Sequence, residues 1–301
     1  MNTAKPYDLN SLVPTKEITF GDISPSGFVR LNNGNILALA SELLLIVDPI
    51  KFEKISSFEV PQYHSVIQLD NDNIILYTRS SSIHIFSFKD NQLKEEHVIP
   101  SEQAEGYEKL CKLSKNRFLA FSEYNGMKVF KGDAPYSDEP IKEIEYCPYG
   151  AKQLEGKEIL VAGNVSYEEC IVLFETENFT KIKKFENKPI LRTGSICEVD
   201  EDTIAIEASF LNIKTGELNS FTKFYGACYD ANIKLRDGRL LYAIDYNNEW
   251  SEQRYDSFLA LVDPKTKTMD KKQYPLINQF FKLDDESFLT CRGITVELWK
   301  Y

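Results

Sequence analysis

Residues 31 to 40 read Leu-Asn-Asn-Gly-Asn-Ile-Leu-Ala-Leu-Ala: an apolar anchor, four polar turn formers, then an unbroken apolar run. Polar turn residues between two β-favouring stretches make a hairpin, and Asn-Gly supplies the left-handed backbone that a tight turn needs. The outline returns at Leu69-DNDN-IILY, Leu113-SKNR-FLAF, Leu154-EGKE-ILVA, Val199-DEDT-IAIE, Leu235-RDGR-LLYA and Leu283-DDES-FLTC, with successive anchors 36 to 48 residues apart. Periods of that length belong to supersecondary units that are stacked or arranged radially.

The run after each turn is apolar almost throughout, as in ILALA, IILY and FLAF, so it belongs to a strand covered on both faces. A third segment follows in each copy (LLLIVDP, SIHIFSF, MKVFKG, CIVLFET, SFLNIKTG, FLALVDP, ITVELWK), and in most copies a fourth of alternating charge (EKISSF, KEEHVI, KEIEY, KIKKF, ELNSF). Charge on an outermost strand keeps its free edge from pairing with other chains, which is the role expected of Lys181, Lys183 and Lys184. The seventh copy ends at Tyr301 after its third segment, while Lys16-Glu17-Ile18-Thr19-Phe20 at the other end matches the fourth-segment pattern. Pairing the first segment with the last sheet would close a ring. The expected fold is therefore all-β: a seven-bladed β-propeller of four-stranded antiparallel blades (strands a to d), with 1–15 an N-terminal extension and 16–301 a single domain.

From residue 16 to 301 the pattern resembles the WD40-like β-propellers. Where that family places Trp-Asp this chain has Val47-Asp48, Phe86-Ser87, Phe130-Lys131, Phe174-Glu175, Ile213-Lys214, Val262-Asp263 and Trp299-Lys300; the Gly-His dipeptide is absent, so the family's polar tetrad does not carry over. The resemblance implies a rigid scaffold for protein interaction. It also implies that d–a and b–c loops share one face and a–b and c–d turns the other.

Composition narrows the chemistry. At 43% hydrophobic and 12% aromatic residues, with 12 Pro and 14 Gly in 301, the chain is a packed globular protein. A net charge of −11 repels nucleic acid and anionic membranes and favours a partner with basic residues. Cys111, Cys147, Cys170, Cys197, Cys228 and Cys291 form no C-x-x-C pair and suit buried, reduced thiols. The N-terminal stretch lacks the apolar region of a secretory signal, so a cytoplasmic, reducing setting is expected. His64, His84 and His97 are the only histidines, and His84, alternating with apolar residues in SIHIFSF, reads as a satisfied strand residue. H-E-x-x-H, G-x-S-x-G, Walker A and G-x-G-x-x-G are all missing. The acidic clusters Asp200-Glu201-Asp202 and Asp284-Asp285-Glu286 fall in a–b turns, where Asp bonds its own backbone, so neither a metal nor another cofactor is expected.

Length variation points to the d–a/b–c face. Its b–c loops run from Ser41-Glu42 to the stretch between Asp245 and Asp256, and long variable loops on a rigid scaffold are where binding concentrates. The long loop carries Tyr246, Trp250, Arg254 and Tyr255; neighbouring b–c loops carry Arg79, Tyr124, Tyr167 and Arg292; a strands open with Tyr63, Tyr107, Tyr149 and Tyr229. Trp, Tyr and Arg dominate interface energies because they bury large rigid areas and keep a polar handle. The strand-opening tyrosines serve either binding or packing around the channel, whereas Trp299 in VELWK is expected to pack between blades. The expected function is a non-enzymatic scaffold that binds a protein or peptide. The alternatives are a metal-assisted hydrolase at the channel mouth and a constitutive subunit of a larger complex.

Overall fold

A computed structural model of the chain describes residues 8–20, 25, 27–40, 42–104, 106, 109–122, 125–154, 158–165, 168–186, 196–206, 209–220, 228–246, 256–275, 277, 279–284 and 286–300. Strand β1 (Pro14–Thr19) is followed by β2 (Gly27–Arg30), β3 (Ile36–Ala40), β4 (Leu43–Asp48) and β5 (Glu53–Glu59). Next come β6 (Tyr63–Gln68), β7 (Ile74–Thr78), β8 (Ile83–Lys89) and β9 (Gln92–Ile99), then a four-residue helix α1 (Ser101–Ala104). The series continues with β10 (Lys109–Leu113), β11 (Arg117–Ser122), β12 (Gly126–Lys131), β13 (Lys142–Ile144), and with β14 (Cys147–Gln153), β15 (Glu158–Val165), β16 (Glu168–Glu175), β17 (Lys181–Glu186). It ends with β18 (Ile196–Glu198), β19 (Thr203–Ile206), β20 (Ser209–Asn212), β21 (Leu218–Ser220), β22 (Cys228–Lys234), β23 (Leu240–Tyr246), β24 (Asp256–Val262), β25 (Met269–Gln273), β26 (Gln279–Lys282), β27 (Ser287–Arg292) and β28 (Thr295–Lys300).

Among the described residues these strands form seven four-stranded sheets, and their recorded pairings are all antiparallel. Six run in chain order; the seventh has the order β1-β28-β27-β26. In it, Ile18 pairs with Val296 and Thr19 with Thr295, so the segment that shares the fourth-strand pattern does lie on the outer edge of the last sheet. The chain divides into two compact units, Phe28–Arg192 with four of the sheets, and Met1–Gly27 together with Thr193–Tyr301 with three.

Burial follows strand position. All five residues of β3 and of β7 are buried, whereas β5 shows only two half-buried residues in seven. Inside each unit, successive sheets pack face to face. Leu37, Leu44 and Ile46 of one sheet meet Ile74, Leu76 and Phe86 of the next, and Leu241, Leu259 and Leu261 meet Phe280, Phe288 and Trp299. Trp299 is completely buried, stacks on Phe288 at 5.5 Å, and donates its indole N–H to Thr290 at 2.9 Å. It is an inter-sheet packing residue, as its place in VELWK suggested.

The a–b turns repeat at the level of single hydrogen bonds. The anchor amide donates across the turn in five copies: Leu31 to Asn35 at 2.9 Å, Leu69 to Asn73 at 2.9 Å, Val199 to Thr203 at 2.9 Å, Leu235 to Arg239 at 2.8 Å and Leu283 to Ser287 at 3.1 Å. An Asn or Asp carboxamide or carboxylate then accepts an amide two residues on, as Asn33 does from Asn35, Asp200 from Asp202 and Asp237 from Arg239. The third residue after the anchor is left-handed at Gly34 (φ 89°), Asp72 (67°) and Gly238 (87°), a backbone region open to Gly and, less readily, to Asp and Asn. In the two acidic clusters Asp200 and Asp284 each accept an amide two residues on. No group of three His, Cys, Asp or Glu side chains that could hold a metal occurs among the described residues. No helix among them is long and apolar enough to cross a membrane.

Two details depart from expectation. β13 ends at Ile144, two residues short of the expected KEIEY segment, where the chain turns and the Tyr146 amide donates to the Ile144 carbonyl at 2.8 Å. Residues 101–104 form one helical turn after Pro100 in a segment expected to be loop. β23 and β24 run to Tyr246 and Asp256, which pair, close to the bounds that the sequence sets for the long b–c loop.

Candidate functional site at the loop ends of the sheets

The first two sheets show how the loop end is assembled. The tight b–c turn before β4 holds Glu42, the d–a connection before β6 holds Gln62, and the b–c turn before β8 holds Arg79. Gln62 donates its side-chain amide to the Glu42 carboxylate at 2.5 Å, and the Arg79 backbone amide donates to the Gln62 carbonyl at 2.8 Å. Three connections from two sheets are thus bonded into one surface, confirming for this pair that d–a and b–c loops lie together. In the third sheet the Asn125 side chain of the b–c turn likewise donates to the Gly106 carbonyl of the d–a connection at 3.1 Å.

The candidate interface residues divide by environment. Arg79 is exposed beside this bonded loop cluster. Tyr63, the first residue of β6, is buried at 7% exposure, donates its hydroxyl to the Leu43 carbonyl at 3.0 Å, and has its phenol pushed well above the ordinary tyrosine range by that burial. Tyr149, third in β14, is also buried, and its carbonyl accepts the Lys109 ammonium at 2.8 Å. Both side chains are packed into the fold. Arg292, last in β27, donates to Glu297 at 3.1 and 3.2 Å. Tyr229 and Tyr246 lie within β22 and β23, where only their backbone is described. Tyr107, Tyr124, Tyr167, Trp250, Arg254 and Tyr255 lie outside the described residues.

Glu297 is a completely buried carboxylate inside an apolar sheet, which demands partners. It has them: Thr290 donates at 2.7 Å, Tyr274 at 3.2 Å, and Arg292 as above. Burial, followed by the Glu297 charge, pushes the Tyr274 phenol up to about 12. Thr290 links this group to Trp299, so the last sheet carries a continuous chain from guanidinium to indole. Nothing in VELWK announces it, because Glu297 alternates like an ordinary exposed strand residue; its partners lie in another strand and a connecting segment.

A second polar chain sits at the β7–β8 turn. Ser82 Oγ lies 3.0 Å from His84 Nε2, and His84 Nδ1 lies 2.8 Å from a Glu95 carboxylate oxygen. Those distances match a nucleophile, base and acid relay. The Ser82 hydroxyl, however, is also shared with Thr78 at 2.7 Å, and the Ser82 amide is bonded to Thr78 Oγ1 at 3.1 Å. The cluster closes on itself and orders the turn, which makes His84 the satisfied strand residue that its sequence context indicated.

A cleft that the sequence did not reveal opens between the same two sheets. One part, of about 480 Å³, is lined by Leu43, Ser57, Phe58, Glu59, Phe86 and Leu93. The adjoining part, of about 550 Å³, shares Leu43 and Glu59 with it and adds Glu42, Val60 and Pro61 from the loop end.

No family model matches this sequence, and no curated protein matches it. Among solved structures the chain is similar to the WD40 β-propeller domain of Doa1, at 11% identity and a TM-score of 0.68, covering 96% of this chain and 96% of that one. The fold is thereby a WD40-like β-propeller of four-stranded antiparallel blades.

Proposed function

We propose that this chain is a non-enzymatic interaction module, a single propeller domain of seven blades spanning residues 16–301, that binds another protein or a peptide on its d–a/b–c face in an intracellular, reducing setting. The observation that carries the reading is the contrast between recurring a–b turns and the bonded but variable loop surface around Glu42, Gln62 and Arg79. A surface whose variation leaves the scaffold untouched is where recognition can differ from one propeller to another. The WD40-like fold supports it too, being one typical of interaction scaffolds. Trp250, Tyr246, Arg254, Tyr255, Tyr167 and Tyr124 supply aromatic and guanidinium anchors for this face, and the −11 charge speeds association with a basic partner.

Affinity capture from the native source tests the reading. The wild-type chain should retain a partner that the Trp250→Ala/Tyr167→Ala double variant loses at unchanged melting temperature. Equal capture by both would overturn the face assignment. A hydrolase would be recognised by a stoichiometric metal on the channel axis, and a constitutive subunit by aggregation of the isolated chain on size exclusion.

A further inference from the structure

We propose that the cleft between the first two sheets docks a peptide segment of a partner protein, one that presents an aliphatic or aromatic side chain next to Lys or Arg. The proposal rests on the interaction-module reading above and gives that reading a ligand chemistry.

The two parts of the cleft share Leu43 and Glu59, so they form one groove leading from the loop end outward between β5 and the β8–β9 hairpin. Each part is of a size that accepts a ligand of several groups. The floor is apolar and fixed. Phe86 is 7% exposed and packed in the core between the two sheets, with Phe58 and Leu93 half-buried against that same core. An apolar side chain laid on them would gain roughly 25 cal/mol for each Å² of apolar surface removed from water.

The rim carries one sign of charge. Among the described residues, the ionisable side chains lining the groove are Glu42 and Glu59. Glu59 stands opposite Leu43 at the end of β5, and among the described residues its carboxylate has no hydrogen bond or ion pair. Glu42 is held by Gln62, which fixes where its charge sits. An apolar floor with two carboxylates and, among the described residues, no cation lining it is complementary to an apolar residue flanked by basic ones, and is disfavoured for an acidic segment or a second copy of this −11 chain.

The test is selection of a random short-peptide display library on the full chain, followed by fluorescence polarisation of synthetic copies of the enriched peptides. Enriched sequences should place Leu, Ile, Phe or Met within a few residues of Lys or Arg. Their affinity should fall about tenfold on Glu42→Lys/Glu59→Lys, two exposed positions, with the melting temperature kept, and should weaken with added salt. Failure to enrich any peptide, enrichment without basic residues, or equal binding to the charge-reversed variant would each overturn the proposal. The two readings fail separately. A native partner lost by Trp250→Ala/Tyr167→Ala but kept by the charge-reversed chain would sink the groove alone, while peptides that need Glu42 and Glu59 would uphold the groove even if that aromatic pair proved dispensable.

Discussion

At the turn end of the sheets, the residue just past one anchor reaches for the residue just before the next. The Asn32 amide donates to the Gln68 side chain at 2.8 Å, Ser114 to Gln153 at 2.6 Å, and between them Lys112 meets Asp70 at 2.6 Å. Asn32 adds a side-chain bond to the Leu69 carbonyl at 3.1 Å, and Asn73 one to the Gly132 carbonyl at 2.8 Å. At the loop end the bonds among Glu42, Gln62 and Arg79 have no counterpart of the same register further along the described chain. The turn end is thus a repeated structural seam. Among the described residues the loop end is a set of individual solutions, where residues can change without breaking a bond that neighbouring sheets repeat.

Perturbations of the scaffold should outweigh those of either end. Deleting residues 1–19 removes β1 and bares β28 along the register from Trp299 to Thr295. The shortened chain should lose its cooperative thermal transition and aggregate on size exclusion, since an unpaired edge is a template for association. Trp299→Ala empties a fully buried inter-sheet site and strips Thr290 of its indole donor; denaturant unfolding should show a loss of about 3–5 kcal/mol.

Alkaline pH comes next. Burial pushes the thiols of Cys111 and Cys291 up to about 11 from 9, and Tyr274 up to about 12 from 10. A group whose folded pKa is raised holds its proton more tightly when folded, so its stabilisation is complete below the unfolded pKa and drains away as pH climbs through the folded one. Melting temperature should be level up to about pH 9 and fall steadily from there towards pH 12, with the same two thiols slow to react with a disulfide reagent at neutral pH. A smaller effect sharpens the contrast of the ends: Gln153→Ala, which orphans the Ser114 amide, should cost about 1 kcal/mol, whereas exposed Arg79→Ala should stay within about 0.5 kcal/mol.

What was legible in the sequence follows from what the fold repeats. Turns that need Asn, Asp or Gly at fixed offsets, and inner strands covered on both faces, leave a signal at every copy, and Lys16 to Phe20 could be assigned because KISSF and KIKKF show what an outer strand looks like. Features made once are not written that way. A tyrosine opening a strand looks the same whether it faces solvent or, like Tyr63 and Tyr149, is packed into the fold. The groove joins Phe58 to Phe86 and Leu93, distant in sequence and each unremarkable within its own strand. The Glu297 cluster is equally silent, since a buried carboxylate is explained only by the donors that surround it.

Hydrogen–deuterium exchange of the chain with and without its captured partner tests the division of labour most directly. The account predicts new protection at the loop end, in segments 41–42, 60–62 and 79–82 and in the stretch around Trp250, with the turns at 31–35, 69–73 and 235–239 unchanged. Protection centred on those turns, with the loop end exchanging as before, would contradict it.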